Sequence, residues 1–246
     1  MTAVSLRSTI PLARVLAQIA AWRTGPDRVV ADAPYFSASG NRLLLEGYLI
    51  ASFVPDWMCN IWRHEIPQLA GKVKLMPLPA WERGGRRTSV WGGTMLGISR
   101  AAPNSDELWP MAKHLYLSPE LARELYAKGD IVTPVRTLWS DPIFDQPDPF
   151  FSNQPKGRMY IELAQHVPIR TSSPYGYLAM VRVQTALVAL VRYAQRNECH
   201  TLDQLLPLAG RLLREAQEEI AAQVRRNVFL RESAAGDVSG AAGGAP

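Results

Sequence analysis

The residues best equipped for chemistry stand between Gly85 and Pro110, in GRRTSVWGGTMLGISRAAPNSDELWP, where Trp91 lies directly against Gly92 and Gly93. Paired glycines suggest a phosphate cradle. Neither G-x-x-x-x-G-K-[ST] nor G-x-G-x-x-G occurs, however, and a strand-like TMLGI follows where a helix N-terminus would have to point at the anion. A G-x-S-x-G nucleophile elbow is also missing from the sequence. Acid–base catalysis needs two carboxylates in one cleft; Asp56, Glu65, Glu82, Asp141 and Asp145 are candidates, but their spacing pairs no two of them. His64, His114, His166 and His200 are scattered, without a His-x-x-x-His pair, and no Cys-x-x-Cys occurs. This spacing predicts no metal site and no cofactor, and Cys59 and Cys199 read as two lone thiols.

What remains is a binding surface. Glycines let a ligand or another strand approach the backbone closely, and an indole offers a broad apolar face with one N–H donor at its edge. That combination suits a sugar ring, whose C–H face packs on the indole while its hydroxyls take hydrogen bonds. Trp57, Trp62, Trp81 and Trp91 all fall in one short window. The alternative for each is a place in the core, where most tryptophans lie.

Composition narrows the field further. With 246 residues, 47% hydrophobic and 20% charged, the chain can bury a sizeable core and has ordinary globular character. Its net charge of +5 is spread out, the tightest groups being the pairs Arg86-Arg87 and Arg225-Arg226, so the stripe that nucleic-acid binding requires is missing. Arg14 and Gln18 interrupt the apolar stretch near the N-terminus, so it reads as lacking a secretory signal. No window approaches membrane-spanning length, and no direct insertion is expected.

The elements that must position these residues follow from periodicity and punctuation. Helices are expected over 8–22, 39–47 and 55–69, and strands over 48–54, 72–78 and 88–99. Asn104 and Glu107 suggest a capping box. It would open a helix whose Leu108, Met111, Ala112, Leu115 and Tyr116 form a buried face, with Pro110 kinking it or delaying its start. Ser118-Pro119-Glu120 caps a helix through Lys128, closed by Gly129. The proline-rich 130–155 reads as a long ordered loop. Helices follow over about 156–166, 174–197 and 201–232, the last with a box from Thr201 to Gln204, before a disordered tail at 233–246. Mixed elements first and helices last predict an α/β or α+β lobe finished by a helical layer.

Taken together, the motifs resemble a family. FVPDWMCNIW, then AGKVKLMPLPAWERGGRRTSVWGGTMLGISRAAPNSDELWPMAKHLYLSPE, DPFFSNQPKGRMYIELAQHVP and SPYGYLAMVRVQTALVAL are similar to the C-terminal half of bacterial extracellular solute-binding proteins. The likeness is to the carbohydrate type that includes maltose- and arabino-oligosaccharide-binding proteins of ABC importers, and it spans about residues 30–197. It implies an α/β class: the C-terminal lobe of a two-lobed periplasmic-binding-protein-like fold, closing on a sugar at a hinge. It also implies that Asp56, Trp57, Trp91, Gly92 and Gly93 face the cleft, with Tyr48, Arg87 and Thr88 as further ligand-binding positions.

Family members are longer and begin with a signal. The expectation is therefore of a truncated, binding-impaired chain, with 1–232 as the C-terminal lobe plus an incomplete N-terminal lobe. The implied function is non-enzymatic: a sugar or oligosaccharide ligand, delivery to permease subunits of an ABC transporter, and a periplasmic location. Two rivals stay open from the residues themselves. One is a carbohydrate-active hydrolase with carboxylates in the same cleft. The other is a helical interaction module built on 201–232, whose Leu202, Leu205, Leu206, Ala209, Leu212, Leu213, Ala216 and Ile220 share one face.

Overall fold

A computed structural model of the chain describes residues 9–34, 36–169 and 173–227. Eight α-helices are described: α1 (Thr9–Arg23), α2 (Ala38–Leu45), α3 (Met58–Glu65), α4 (Ser105–Leu117), α5 (Pro119–Gly129), α6 (Lys156–Ala164), α7 (Gly176–Arg196) and α8 (Leu202–Arg226). Short 3-10 turns punctuate the loops. None of these helices is long and apolar enough to cross a membrane. The chain divides into two compact units, with boundaries after Asp32 and after Arg170. The expected tail at 233–246 lies outside the described residues.

The first unit contains α1, α7 and α8. Each helix buries one narrow stripe: Ala13, Leu16, Ala17 and Ala20; Ala186, Leu190 and Ala194; and Leu205, Ala209 and Leu213. The i, i+4 spacing puts these residues on single faces, and the many alanines let backbones approach while leucines fill the remaining space. Thr201 accepts from the Gln204 N–H while the Gln204 side chain accepts from the Thr201 N–H, completing the expected capping box. The apolar face of α8 is spent on this core, which does not favour the interaction-module reading. At the end of α1, Gly25 has φ +79°, and a Cβ there would lie 2.8 Å from Cγ of His200. Backbone conformation and space both demand glycine at that turn.

The second unit, 33–170, is held by loops as much as by helices. Two Asp-Pro-x-Phe sequences show why its proline-rich segment is ordered. Asp141 accepts from the Ile143 N–H at 3.0 Å and Asp148 from the Phe150 N–H at 3.0 Å. The following Pro142 and Pro149 start 3-10 turns without needing a donor, and the last residue of each tetrad, Phe144 or Phe151, is fully buried. Phe150 and Phe151 join Met58, Cys59, Trp62, Ile66, Leu69 and Leu75 in the core.

The sequence predicted α/β; the described residues are helical, and their only pairing of strand type is one antiparallel bridge between Asp148 and Gln154. Segments 48–54, 72–78 and 88–99 form no strands. A β-prone segment becomes a strand only when a neighbour takes its N–H and C=O groups. For Leu75 the neighbour is a side chain: Gln154 accepts from the Leu75 N–H at 2.7 Å and donates to its C=O at 2.9 Å. Two expectations for α4 also need correction: Asn104 makes no side-chain cap, and of the predicted buried face only Ala112 is buried. Of the two outcomes expected of Pro110, the delayed start does not occur, since the helix begins at Ser105 and runs through it. Met111 and Leu115 are exposed.

Candidate ligand-binding site

Trp57 sits at the N-terminus of α3, where the Pro55 and Asp56 carbonyls accept from the Met58 and Cys59 N–H groups. Its ring packs partly against the core formed by the helix it precedes. The Trp57 indole N–H donates to the backbone oxygen of Trp91 at 3.4 Å, and the two rings meet edge to face at 6.1 Å and 69°. The structure therefore brings together two tryptophans that are far apart in the chain. Trp91 keeps half its surface exposed.

Gly92 and Gly93 follow with φ of 108° and 109°, a region essentially closed to residues with a Cβ. A Cβ on Gly92 would touch the Trp57 indole nitrogen at 3.5 Å, whereas Gly93 is open to solvent. Asp56, half-buried beside Trp57, accepts from the Val132 N–H at 3.4 Å. Trp57, Trp91 and Gly92 therefore meet, while the Asp56 carboxylate is engaged by the Val132 backbone.

The three outer positions are placed differently. Arg87 turns back on its own loop, donating to the carbonyls of Leu78 at 3.0 Å and Pro77 at 3.3 Å. Thr88 is buried, and Tyr48 is exposed in the segment after α2. Phe36 is the residue that sequence reasoning missed. It stacks on Trp57 at 5.8 Å with 11° between planes. A signal existed: Phe36 precedes Ser37, whose hydroxyl caps α2 by accepting from the Gly40 N–H. A hydrophobic residue there normally staples to one five positions on, but that position is Asn41, so Phe36 must find another apolar partner.

Beneath α3 lies a buried charge cluster. Lys156 donates to Asp130 at 2.7 Å and stands 3.6 Å from Asp148; Arg63 donates to Asp148 at 2.7 Å and reaches Asp130 at 3.4 Å. Asp130 occupies the left-handed cap of α5, which aims its carboxylate inward. Burial alone would lower the Lys156 pKa, but the Asp130 hydrogen bond and surrounding charges outweigh it and hold the ammonium above the ordinary lysine range. Next to it, burial pushes the Cys59 thiol up to about 12, against a weaker lowering from its contact with Tyr160. It is a core thiol rather than a nucleophile.

Three of the five carboxylates considered for hydrolysis, Asp145, Asp141 and Glu65, are engaged away from the tryptophan pair. Asp145 pairs with Arg158 at 2.6 Å, Asp141 with Arg123 at 2.6 Å, and Glu65 accepts from Asn41 at 2.9 Å. The Ile143 N–H and then Arg123 hold Asp141 below the usual carboxylate range, and Arg158 does the same for Asp145. A general acid needs the opposite shift. A concavity of about 330 Å³ lies on α5, lined by Glu120, Arg123, Glu124, Ala127 and Ile143. It contains no aromatic residue and neither tryptophan of the pair.

Two characterised proteins are similar to this chain. An arabinooligosaccharide-binding protein of Halalkalibacterium halodurans is 26% identical over 106 residues, covering 43% of this chain and 24% of the relative. An arabinooligosaccharide-binding protein of Bacillus subtilis is 30% identical over 122 residues, covering 48% of this chain and 25% of the relative. Both are named as binding proteins rather than enzymes. No family model and no solved structure matches. The matched part of the chain spans about a quarter of the length of these curated sugar-binding relatives.

Proposed function

We propose that this chain is a carbohydrate-binding component of an ABC importer, taking an oligosaccharide and passing it to membrane permease subunits on the periplasmic side. The observation that carries the proposal is the similarity to two arabinooligosaccharide-binding proteins. The exposed Trp91 beside Gly92 and Gly93, with Asp56 adjoining Trp57, supports it: these residues supply a stacking face, open backbone and a hydrogen-bond acceptor. In this reading 33–170 carries part of the C-terminal lobe of a two-lobed α/β fold. Segments 48–54, 72–78 and 88–99, which form no ladder, are in this reading where its strands belong.

Magnitude sets the expected affinity. An indole face buried against a sugar contributes about 1.5–3 kcal/mol before polar desolvation. A few hydrogen bonds add about 1 kcal/mol each, against roughly 4 kcal/mol or more of lost ligand freedom. Contacts with this surface alone then give binding in the millimolar range. Titration calorimetry of the full chain against pentose and hexose oligosaccharides tests this. Millimolar binding that favours arabino-oligosaccharides is expected, and absence of heat with every sugar would reject the proposal.

A further inference from the structure

The three rings at the site are not equivalent. Phe36 lies almost parallel to the Trp57 indole and covers part of the ring face that a sugar would need. Trp91 meets Trp57 at a steep angle, and its backbone oxygen accepts the only N–H of that indole. Trp57 is packed partly into the core, whereas Phe36 and Trp91 are 55% and 50% exposed. Phe36 also has φ +56°, an uncommon conformation for a bulky side chain and one that surrounding structure must hold.

We infer that Phe36 and Trp91 present the ring faces to the ligand, and that Trp57 between them is a positioning residue rather than a stacking platform. This rests on the sugar-binding reading above and deepens it. Two exposed aromatic residues lie within about 6 Å of a common ring and at different tilts to it. They offer two ring faces, at different tilts, to the oligosaccharide of that reading. A Cβ on Gly92 would stand 3.5 Å from the Trp57 nitrogen, so glycine keeps that edge of the ring clear of a further side chain.

Saturation-transfer NMR on the full chain detects weak binding, with a linear arabino-oligosaccharide, arabinose and a malto-oligosaccharide as probes. Phe36→Ala and Trp91→Ala should each weaken oligosaccharide binding about fivefold or more, whereas Phe36→Tyr should stay within about twofold, because the ring and not its bulk is required. Phe36→Leu, which keeps apolar bulk without the ring, should stay folded and weaken binding about fivefold or more, which separates loss of the ring from loss of the fold. Trp57→Phe keeps the packing but removes the N–H. It should weaken binding about threefold and shift the Trp91 indole resonance before any sugar is added, the signature of positioning. No transfer to any sugar from the unaltered chain overturns the sugar-binding reading itself. Sugar binding that survives Phe36→Leu and Trp91→Ala unchanged overturns this inference and leaves that reading standing.

Discussion

The two units of this chain solve the same folding problem in different ways. The α1–α7–α8 unit buries leucine and alanine stripes, and its helices satisfy their own backbones. The 33–170 unit buries aromatics, a four-residue charge cluster and long stretches of irregular backbone. Its backbone groups are satisfied by side chains: Gln154 on Leu75, the Ser152 hydroxyl on the carbonyls of Gly71 and Val73, and Asp141 and Asp148 on their turns. Repetitive structure needs only a pattern. Irregular structure needs a named side chain at each gap, and it can therefore place Trp91 and two glycines on a surface where no regular element would.

The sharpest way to break this contrast is to damage each core by its own chemistry. Asp130→Asn keeps a residue tolerant of the left-handed cap but leaves Lys156 and Arg63 sharing one carboxylate. A loss of about 3–5 kcal/mol is expected, because charge left buried without a full partner is the costly outcome. Hydrogen exchange should show the loss in α3 and α6 while α8 amides keep their protection. Leu190→Ala in the other unit removes a fully buried side chain. It should cost about 3 kcal/mol, seen as faster exchange in α1, α7 and α8 and little change in α3. If each substitution loosens both sets of amides equally, the units are not separate in their stability.

A smaller effect separates them by pH. An unfolded thiol near 9.0 releases its proton while folded Cys59 holds it to about 12. Its contribution is therefore complete below pH 9 and falls as pH rises toward 12. Raising pH from 8 to 10 should cost the 33–170 unit about 1 kcal/mol through this group alone, with Lys156 adding loss in the same direction above 10.5. Cys59→Ala should remove most of that slope when denaturation is followed at both pH values. The smallest expected change is Thr201→Ala, which takes away the α8 cap and should cost about 1 kcal/mol in the helical unit. A Thr201→Ser variant, keeping the hydroxyl, should recover most of it.

The same contrast explains what could be read in advance. The helices of the first unit were legible to within two residues except at the end of α8, expected to reach 232 but ending at Arg226, with 228–232 outside the described residues; spacing and caps such as Thr201 with Gln204 act within a few positions of chain. So was the Ser118-Pro119 start of α5, where the Ser118 hydroxyl accepts from the Leu121 N–H. Trp91 with Gly92 and Gly93, and the Asp56-Trp57 motif, stood out as residue types, but the contact between the two tryptophans is set by the fold.

The sequence by itself determined most helix positions, the ordered proline-rich loop and the types of residue available to a ligand. Tertiary structure alone decided the rest, because each remaining feature depends on a partner distant in the chain. Segments 48–54, 72–78 and 88–99 have strand-like composition, but a ladder requires a second backbone, and residue types cannot supply one. The apolar face of α4 is periodic, yet burial requires something to pack on it. Arg63, Asp130, Asp148 and Lys156 look like ordinary surface charges until α3, α5, α6 and the intervening loop bring them within hydrogen-bonding range. Phe36 gained its place at the site only because Trp57 lay where its ring could stack. Local propensity is written in neighbouring residues; which distant groups meet depends on how the whole chain shares its limited interior.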